Sequence, residues 1–300
     1  MRPRARTLLL TAVLACSGSD DSAVTTPPPP STDACAVRSA TAIGPITDPN
    51  GPYYHQMAVA GTTDGLTITN PWIALQHASV PDGVRLQSGT VLAYYVNGAE
   101  GPVWVARVLD DSVEVIGRLT VNGVSPVAGV VDPDAWLMPD GKVRLAYLSG
   151  FGPPSSTQVT GLCIAESTDG LSFTVLGTAF PFAAGEFFTD PSVARLADGS
   201  WRMAISWGQR TIMASSTDGL AFTRYDTLTY GGVPELAIAP DGALRLYICS
   251  QGIQAYRSVD GGNGWALEGT VVPPNTLGKR ILCDPSLVAG ANLFIFKTAD

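Results

Sequence analysis

Four segments of this chain repeat one pattern, and that repeat narrows the fold more than any other feature of the sequence. Residues 57–69, 162–177, 211–226 and 253–269 each run from an apolar strand through a Ser/Thr-rich approach and an Asp-Gly turn into a second strand. The turns read Thr62-Thr63-Asp64-Gly65, Ser167-Thr168-Asp169-Gly170, Ser216-Thr217-Asp218-Gly219 and Ser258-Val259-Asp260-Gly261. Glycine supplies the positive φ that a tight hairpin requires, and the hydroxyl can bond across the loop. A degenerate copy spans 103–117 and turns at Asp110-Asp111.

A second hairpin type alternates with the first: an apolar strand with a proline near its start turns at a polar-Gly pair and returns as a strand rich in Leu, Tyr and Trp. Its copies are 80–96 around Gly89, 132–148 around Gly141, 190–207 around Gly199, 233–250 around Gly242, and 284–296. The turn glycines recur at steps of roughly 43 to 58 residues, the length of a four-stranded propeller blade. The chain opens with a hairpin of the first type and closes with one of the second, so its ends are two half-blades that complete each other. We therefore expect an all-β, five-bladed β-propeller closed by pairing of the N- and C-terminal hairpins, which also removes exposed sheet edges. The competing architecture is a β-sandwich, which has no need of repeats.

Composition bounds the function. Lys+Arg 18 against Asp+Glu 26 leaves a net charge of -8, which repels a phosphate backbone, so no nucleic-acid partner is expected. Hydrophobic residues at 45% exclude a disordered chain. Histidine occurs only as His55 and His77, and there is no Cys-x-x-Cys pair. A zinc centre or a Ser-His-Asp site has few residues to draw on, which leaves carboxylates to carry any chemistry.

Arg2, Arg4 and Arg6 precede an apolar run over 8–14 that is too short to span a bilayer and has the order of a secretory signal. The run closes in Val13-Leu14-Ala15-Cys16, which resembles the lipobox of bacterial lipoproteins. An ordinary signal peptide that happens to contain a cysteine is the alternative. The resemblance implies a signal peptide over 1–15, a lipidated Cys16, a Ser/Thr/Pro-rich tether over 16–48 and a propeller over 49–300. The protein is then expected in the bacterial cell envelope, held to a membrane by its N-terminal lipid and facing the periplasm or the surface. Export permits disulfides, and the repeat register favours Cys249 with Cys283, leaving Cys35 with Cys163; four free thiols are the alternative.

The Asp-Pro heads, each followed by an Asp-Gly turn and a Tyr/Leu-rich strand, resemble the five-bladed propeller glycosidases of the arabinanase, β-xylosidase and invertase kind over roughly residues 50–300. In that family three carboxylates stand at the axial ends of innermost strands in different blades. The resemblance implies Asp82 as general base, Asp190 in Thr189-Asp190-Pro191-Ser192 as the carboxylate that tunes the acid, and Glu235 in Val233-Pro234-Glu235 as the acid. The match is incomplete. The family writes its acid as Glu-Gly-Pro and its base as Asp-Pro, against Pro-Glu and Pro-Asp here, and Asp284 stands in the blade where many relatives place a histidine toward an axial ion. Counted from their turn glycines, Asp132 and Asp190 stand nine residues back, whereas Asp82, Asp134 and Glu235 stand seven back, a displacement of about 6 to 7 Å along the strand.

Glycoside cleavage needs one protonated and one ionised carboxyl about the sugar, and crowding of acids raises the pKa of one member. Asp132, Asp134, Trp136 and His77 are expected around the substrate, Trp136 by stacking on a sugar ring. The same acids can instead start strands and cap turns, or hold an axial Ca²⁺; no other cofactor is expected. The Ser-Thr-Asp-Gly turns also resemble the Asp-box of sialidases, with Ser258 to Trp265 matching its spacing, but are expected to be structural. Trp72, Trp104, Trp201, Trp207 and Trp265 are expected in the core. Two functions remain open for an expected monomer: a glycoside hydrolase-like propeller acting on poly- or oligosaccharide, or a non-catalytic propeller binding glycan or protein at the cell surface.

Overall fold

Each second-type hairpin opens on a strand containing a proline, a residue that cannot donate to a ladder and is tolerated where a strand has a neighbour on one side only. In the computed structural model, which describes residues 35, 38–39, 48–125, 127–128, 130–149 and 161–300, these prolines line a common axial space. Blade 1 comprises Ala78–Arg85, Val91–Asn97, Val103–Val108 and Val113–Arg118. Blade 2 comprises Val130–Leu137, Val143–Ser149, Gly161–Ser167 and Ser172–Pro181, and blade 3 Thr189–Arg195, Trp201–Trp207, Arg210–Ser216 and Thr223–Leu228. Blade 4 comprises Pro234–Ile238, Leu244–Ser250, Gly252–Ser258 and Ala266–Val272.

Blade 5 draws on both ends of the chain, as the half-blade count requires. Ile281–Val288 and Leu293–Ala299 are joined edge to edge by Gln56–Gly61 and Thr69–Gln76, with Gln56 opposite Thr298 and Gly61 opposite Leu293. The result is an all-β, five-bladed propeller. Among the described residues no helix is long and apolar enough to cross a membrane. Two small additions were not legible in the repeats: Thr120–Val121 pairs in parallel with the outer strand of blade 2, and Arg38–Ser39 pairs with Val127–Ala128. Cys16 and the signal peptide lie outside the described residues. Within the segment assigned to the tether, Cys35 is buried and bonded to Cys163, and a second disulfide joins Cys249 of blade 4 to Cys283 of blade 5.

The core is divided among the interfaces between blades. Val84, Leu92 and Tyr94 of blade 1 pack with Leu145, Tyr147 and Phe173 of blade 2, and Met57, Val59 and Ile295 of blade 5 pack with Ala93 and Tyr95 of blade 1. Because each blade has a neighbour on both faces, its middle strands are apolar on both faces. This is why Val91–Asn97 and Leu244–Ser250 read as near-continuous hydrophobic runs instead of alternating ones. Trp201 is buried as expected, whereas Trp207, at the end of its strand, is 41% exposed with the Arg210 guanidinium over its ring.

The Asp-Gly turns fasten neighbouring blades. In blade 2 the Ser167 hydroxyl donates to Asp169 and accepts from the Gly170 N–H, while Asp169 Oδ1 accepts from Leu171 and Ser172. Thr62, Ser216 and Ser258 repeat this wiring in the other three turns. The preceding blade then grips each turn: Tyr94 donates to the Gly170 carbonyl, Arg144 to Gly219, Arg202 to Gly261 and Arg245 to Asp64. Gly170 has φ +74°, and a Cβ there would stand 2.7 Å from Leu92 Cδ1, so both the turn and the close approach demand glycine. Ser216→Ala, which removes the hydroxyl's bonds to Asp218 and Gly219, should cost about 1 kcal/mol in urea unfolding, against less than about 0.5 for Val259→Ala. Val259 is the 88% exposed residue of another turn and serves as the control.

Candidate active site

Aligned on their prolines, the five inner strands give one register. The residue before proline is Val80, Asp132, Asp190, Val233 or Asp284, and the residue after it is Asp82, Asp134, Ser192, Glu235 or Ser286. In blades 1, 2, 3 and 5 the head residue has a positive φ, between 46° and 51°, and the ladder to the second strand is interrupted beside it. Aspartate tolerates this backbone region better than most residues, and the bulge turns the heads toward the axis. Val80 takes the same geometry with a β-branched side chain and is the strained member of the set.

The residues after proline form a closed ring. Each side chain accepts a hydrogen bond from a backbone N–H on the next inner strand: Asp82 from Ala135 (2.6 Å), Asp134 from Val193 (3.0 Å), Ser192 from Leu236 (2.8 Å), Glu235 from Leu287 (3.3 Å) and Ser286 from Gly83 (3.1 Å). The two serine hydroxyls also donate to carboxylates, Ser192 to Glu235 (2.6 Å) and Ser286 to Asp82 (2.7 Å). Oxygens of Asp82, Asp134 and Glu235 lie within 4.8 Å of one another, and all three residues are buried. Burial, opposed by the Ala135 and Ser286 hydrogen bonds, raises the Asp82 carboxyl to about 6. Burial and then the neighbouring Asp82 push Asp134 and Glu235 well above the ordinary carboxylate range.

The heads form a second ring toward one mouth of the channel. Asp132, Asp190 and Asp284 gather around Lys297, a residue of the second strand of blade 5, whose ammonium lies 2.7 Å from Asp284 Oδ2. Burial lifts Asp190 to about 6, with Asp284 adding to the shift, and lifts Asp132 well above its usual value, with Asp190 adding. Burial alone would lower Lys297, yet Asp284, Asp190 and Asp132 hold its pKa above the ordinary lysine value. His55 bonds through Nδ1 to the Ser79 hydroxyl, and burial followed by the nearby Lys297 lowers its pKa.

All the acids expected in the site therefore line one axial space, but at two levels, as the seven- and nine-residue offsets anticipate. Asp82, Asp134 and Glu235 lie together in the ring; Asp190 and Asp132 stand one level out with Asp284. Among the described residues that space is about 20 Å³, room for roughly one water or ion. His77 lies elsewhere, stacked on Tyr53 and bonded to its carbonyl oxygen, whereas Trp136, buried against Trp201, lines a larger cavity at the opposite end of the channel together with Asp134 and Glu235. Lys297, Ser192 and Ser286 were not singled out in the sequence, although aligning the five prolines exposes both serines.

The chemistry open to the ring follows from its dimensions. Glycosidases place their two carboxyl groups about 5 to 9.5 Å apart with the sugar between them. In the ring one oxygen from each of the three lies within 4.8 Å of the others, and the axial space of about 20 Å³ has no room for a sugar between them. Three buried carboxylates suit a hard cation such as Ca²⁺, which Asp82, Asp134 and Glu235 would hold, and the raised pKa values mean that protons bind where such a charge is lacking.

No family model matches this chain, and neither does any curated protein. Among solved structures it is similar to an α-L-arabinofuranosidase from Clostridium thermocellum, at 15% identity and a TM-score of 0.55, over 73% of this chain and 80% of that one. A family 117 glycoside hydrolase from Zobellia galactanivorans aligns at 15% identity and 0.53, over 83% and 92%. A thermostable family-43 glycoside hydrolase aligns at 12% and 0.50, over 74% and 92%. At these identities the likeness is one of fold, and the chain has the five-bladed propeller on which these glycoside hydrolases are built.

Proposed function

We propose that this chain is an exported, lipid-anchored propeller of the cell envelope that binds poly- or oligosaccharide at the channel mouth without cleaving it. The observation that carries the non-catalytic reading is the closed hydrogen-bonded ring. It commits Asp82, Asp134 and Glu235 to joining the five blades and leaves no space for a sugar among them. The carbohydrate reading draws on the fold shared with glycoside hydrolases and on the acids gathered at the mouth. Export and anchoring draw on the charged, apolar and Cys16-terminated start of the chain.

A second reading has its own observation. Asp190, lifted to about 6 beside Asp132 and Asp284, has the proton affinity that a general acid needs near neutral pH. Incubation with aryl glycosides and insoluble polysaccharides separates the two. Retention on a polysaccharide without turnover is the expected result. Turnover that disappears in Asp190→Asn, with folding verified by near-UV circular dichroism, would establish hydrolysis at the mouth and overturn the binding reading. In cells fed labelled palmitate, the wild-type chain should take up label and Cys16→Ser should not.

A further inference from the structure

The face opposite the Asp-Pro heads carries a funnel of about 490 Å³. Its floor is the far side of the carboxylate ring. Its walls come from the next residues along the inner strands, among them Ala135, Val193, Leu236 and Leu287. Three residues beyond the ring, the five strands present Arg85, Leu137, Arg195, Ile238 and Ala289 to the rim. Blades 1 and 3 flank blade 2, so the two arginines stand on either side of Leu137.

These arginines differ from the others that line blade interfaces. Arg144, Arg202 and Arg245 are tied to turn carbonyls, and Arg144 and Arg245 also to carboxylates. Arg85 and Arg195 are exposed and have no hydrogen bond or ion pair with any described residue; Arg195 only lies over the Trp201 ring at 5.7 Å. Trp136, at the funnel wall, has a buried Nε1–H without an acceptor. The funnel thus combines an apolar wall, formed by Val193, Leu236, Leu287 and the Trp136 and Trp201 rings, with two uncommitted guanidinium groups at its rim.

We infer that the funnel is a second binding site, distinct from the carbohydrate mouth, for a carboxylate with an apolar body. The body would sit on Val193, Leu236 and Leu287, and the carboxylate would meet Arg85 and Arg195. A guanidinium takes a carboxylate through two parallel hydrogen bonds, and such charge-assisted pairs are stronger than neutral ones. The volume lies in the range of sites for compact small molecules.

The test uses the full chain, intrinsic tryptophan fluorescence and calorimetry, with decanoate below its micellar concentration as probe. Decanoate should bind saturably with one site per chain, and decanol and galacturonate should bind about tenfold more weakly, since each lacks one half of the recognised chemistry. Arg85→Gln with Arg195→Gln should weaken decanoate about tenfold and leave decanol unchanged. Ala289→Trp, an exposed position at the rim, should block both ligands while the melting temperature stays unchanged. Decanoate binding that is absent, or indifferent to both the arginine pair and the rim substitution, overturns the inference, as does galacturonate binding more tightly than decanoate. None of these outcomes bears on polysaccharide retention at the opposite mouth.

Discussion

In the presence of a chelator, the unfolding free energy should fall by several kcal/mol between about pH 5 and about pH 7.5, and most of the loss should be recovered on adding millimolar Ca²⁺ at the higher pH. Asp82 and Asp190 both bind their protons more tightly in the folded chain, at about 6 against 3.8 for the unfolded group. Between those values the native state holds more protons than the unfolded state, so stability declines as pH rises. Below the unfolded pKa both states are protonated and nothing is lost; above about 6 the full penalty applies. A shift of two units is worth about 3 kcal/mol for each residue. Asp132, Asp134 and Glu235 are displaced in the same direction and add to the loss. The turn carboxylates Asp64 and Asp260 are displaced downward, Asp64 first by the Leu66 N–H and Asp260 first by the Ser258 hydroxyl. Their contribution is lost only at more acid pH, and because they are exposed it is small. The expected profile therefore peaks near the unfolded carboxylate value of 3.8 and is already declining at pH 5. Urea unfolding that is equally or more favourable to the native state at pH 7.5 in chelator would show that the ring is not a proton store.

The two hairpin types carry most of the architecture because each states its own constraint locally. Asp-Gly fixes a turn, proline marks the strand with a neighbour on one side only, and the half-blades at the two ends force closure; the pairing of Gly61 with Leu293 follows from these. The acids are legible in the sequence as a set facing one axis, and the offsets from the turn glycines separate their two levels. The closed ring was harder to see. The family resemblance drew Asp82, Asp190 and Glu235 together by role, whereas the triplets Val80-Pro81-Asp82 and Asp190-Pro191-Ser192 place Asp82 in register with Ser192, not with Asp190. Once the prolines are superposed, Ser192 and Ser286 fall into the ring beside the acids. Lys297 left no comparable trace. It lies in Leu293–Ala299, which reads as a core strand, and its contact with acids from three blades exists only after closure. Trp207 misleads for a similar reason, since a terminal strand residue can project beyond its sheet with nothing in its neighbours to mark the difference.

Lys297→Met should cost about 3–5 kcal/mol near pH 7.5, the range for removing one partner of a buried ion pair. The ammonium is the basic group in contact with Asp284, and Asp284 is 2% exposed, so its carboxylate would stay buried without a counter-charge. Methionine keeps the length and packing of the lysine stem, which confines the loss to the charge. The cost should shrink toward pH 5, because Asp190 and Asp132 already take up protons there and the cluster carries less negative charge for lysine to balance. That pH dependence separates an electrostatic role from a packing role, since a packing defect would cost the same at both values. The cycle with Asp284→Asn supplies the pairwise part. If the ion pair is the source, Lys297→Met in the Asp284→Asn background should cost markedly less than in the wild type, with a coupling of about 1–3 kcal/mol. A loss within about 1 kcal/mol at both pH values would mean that the three aspartates need no fixed cation. The mouth would then be free to exchange its lysine for a bound ion.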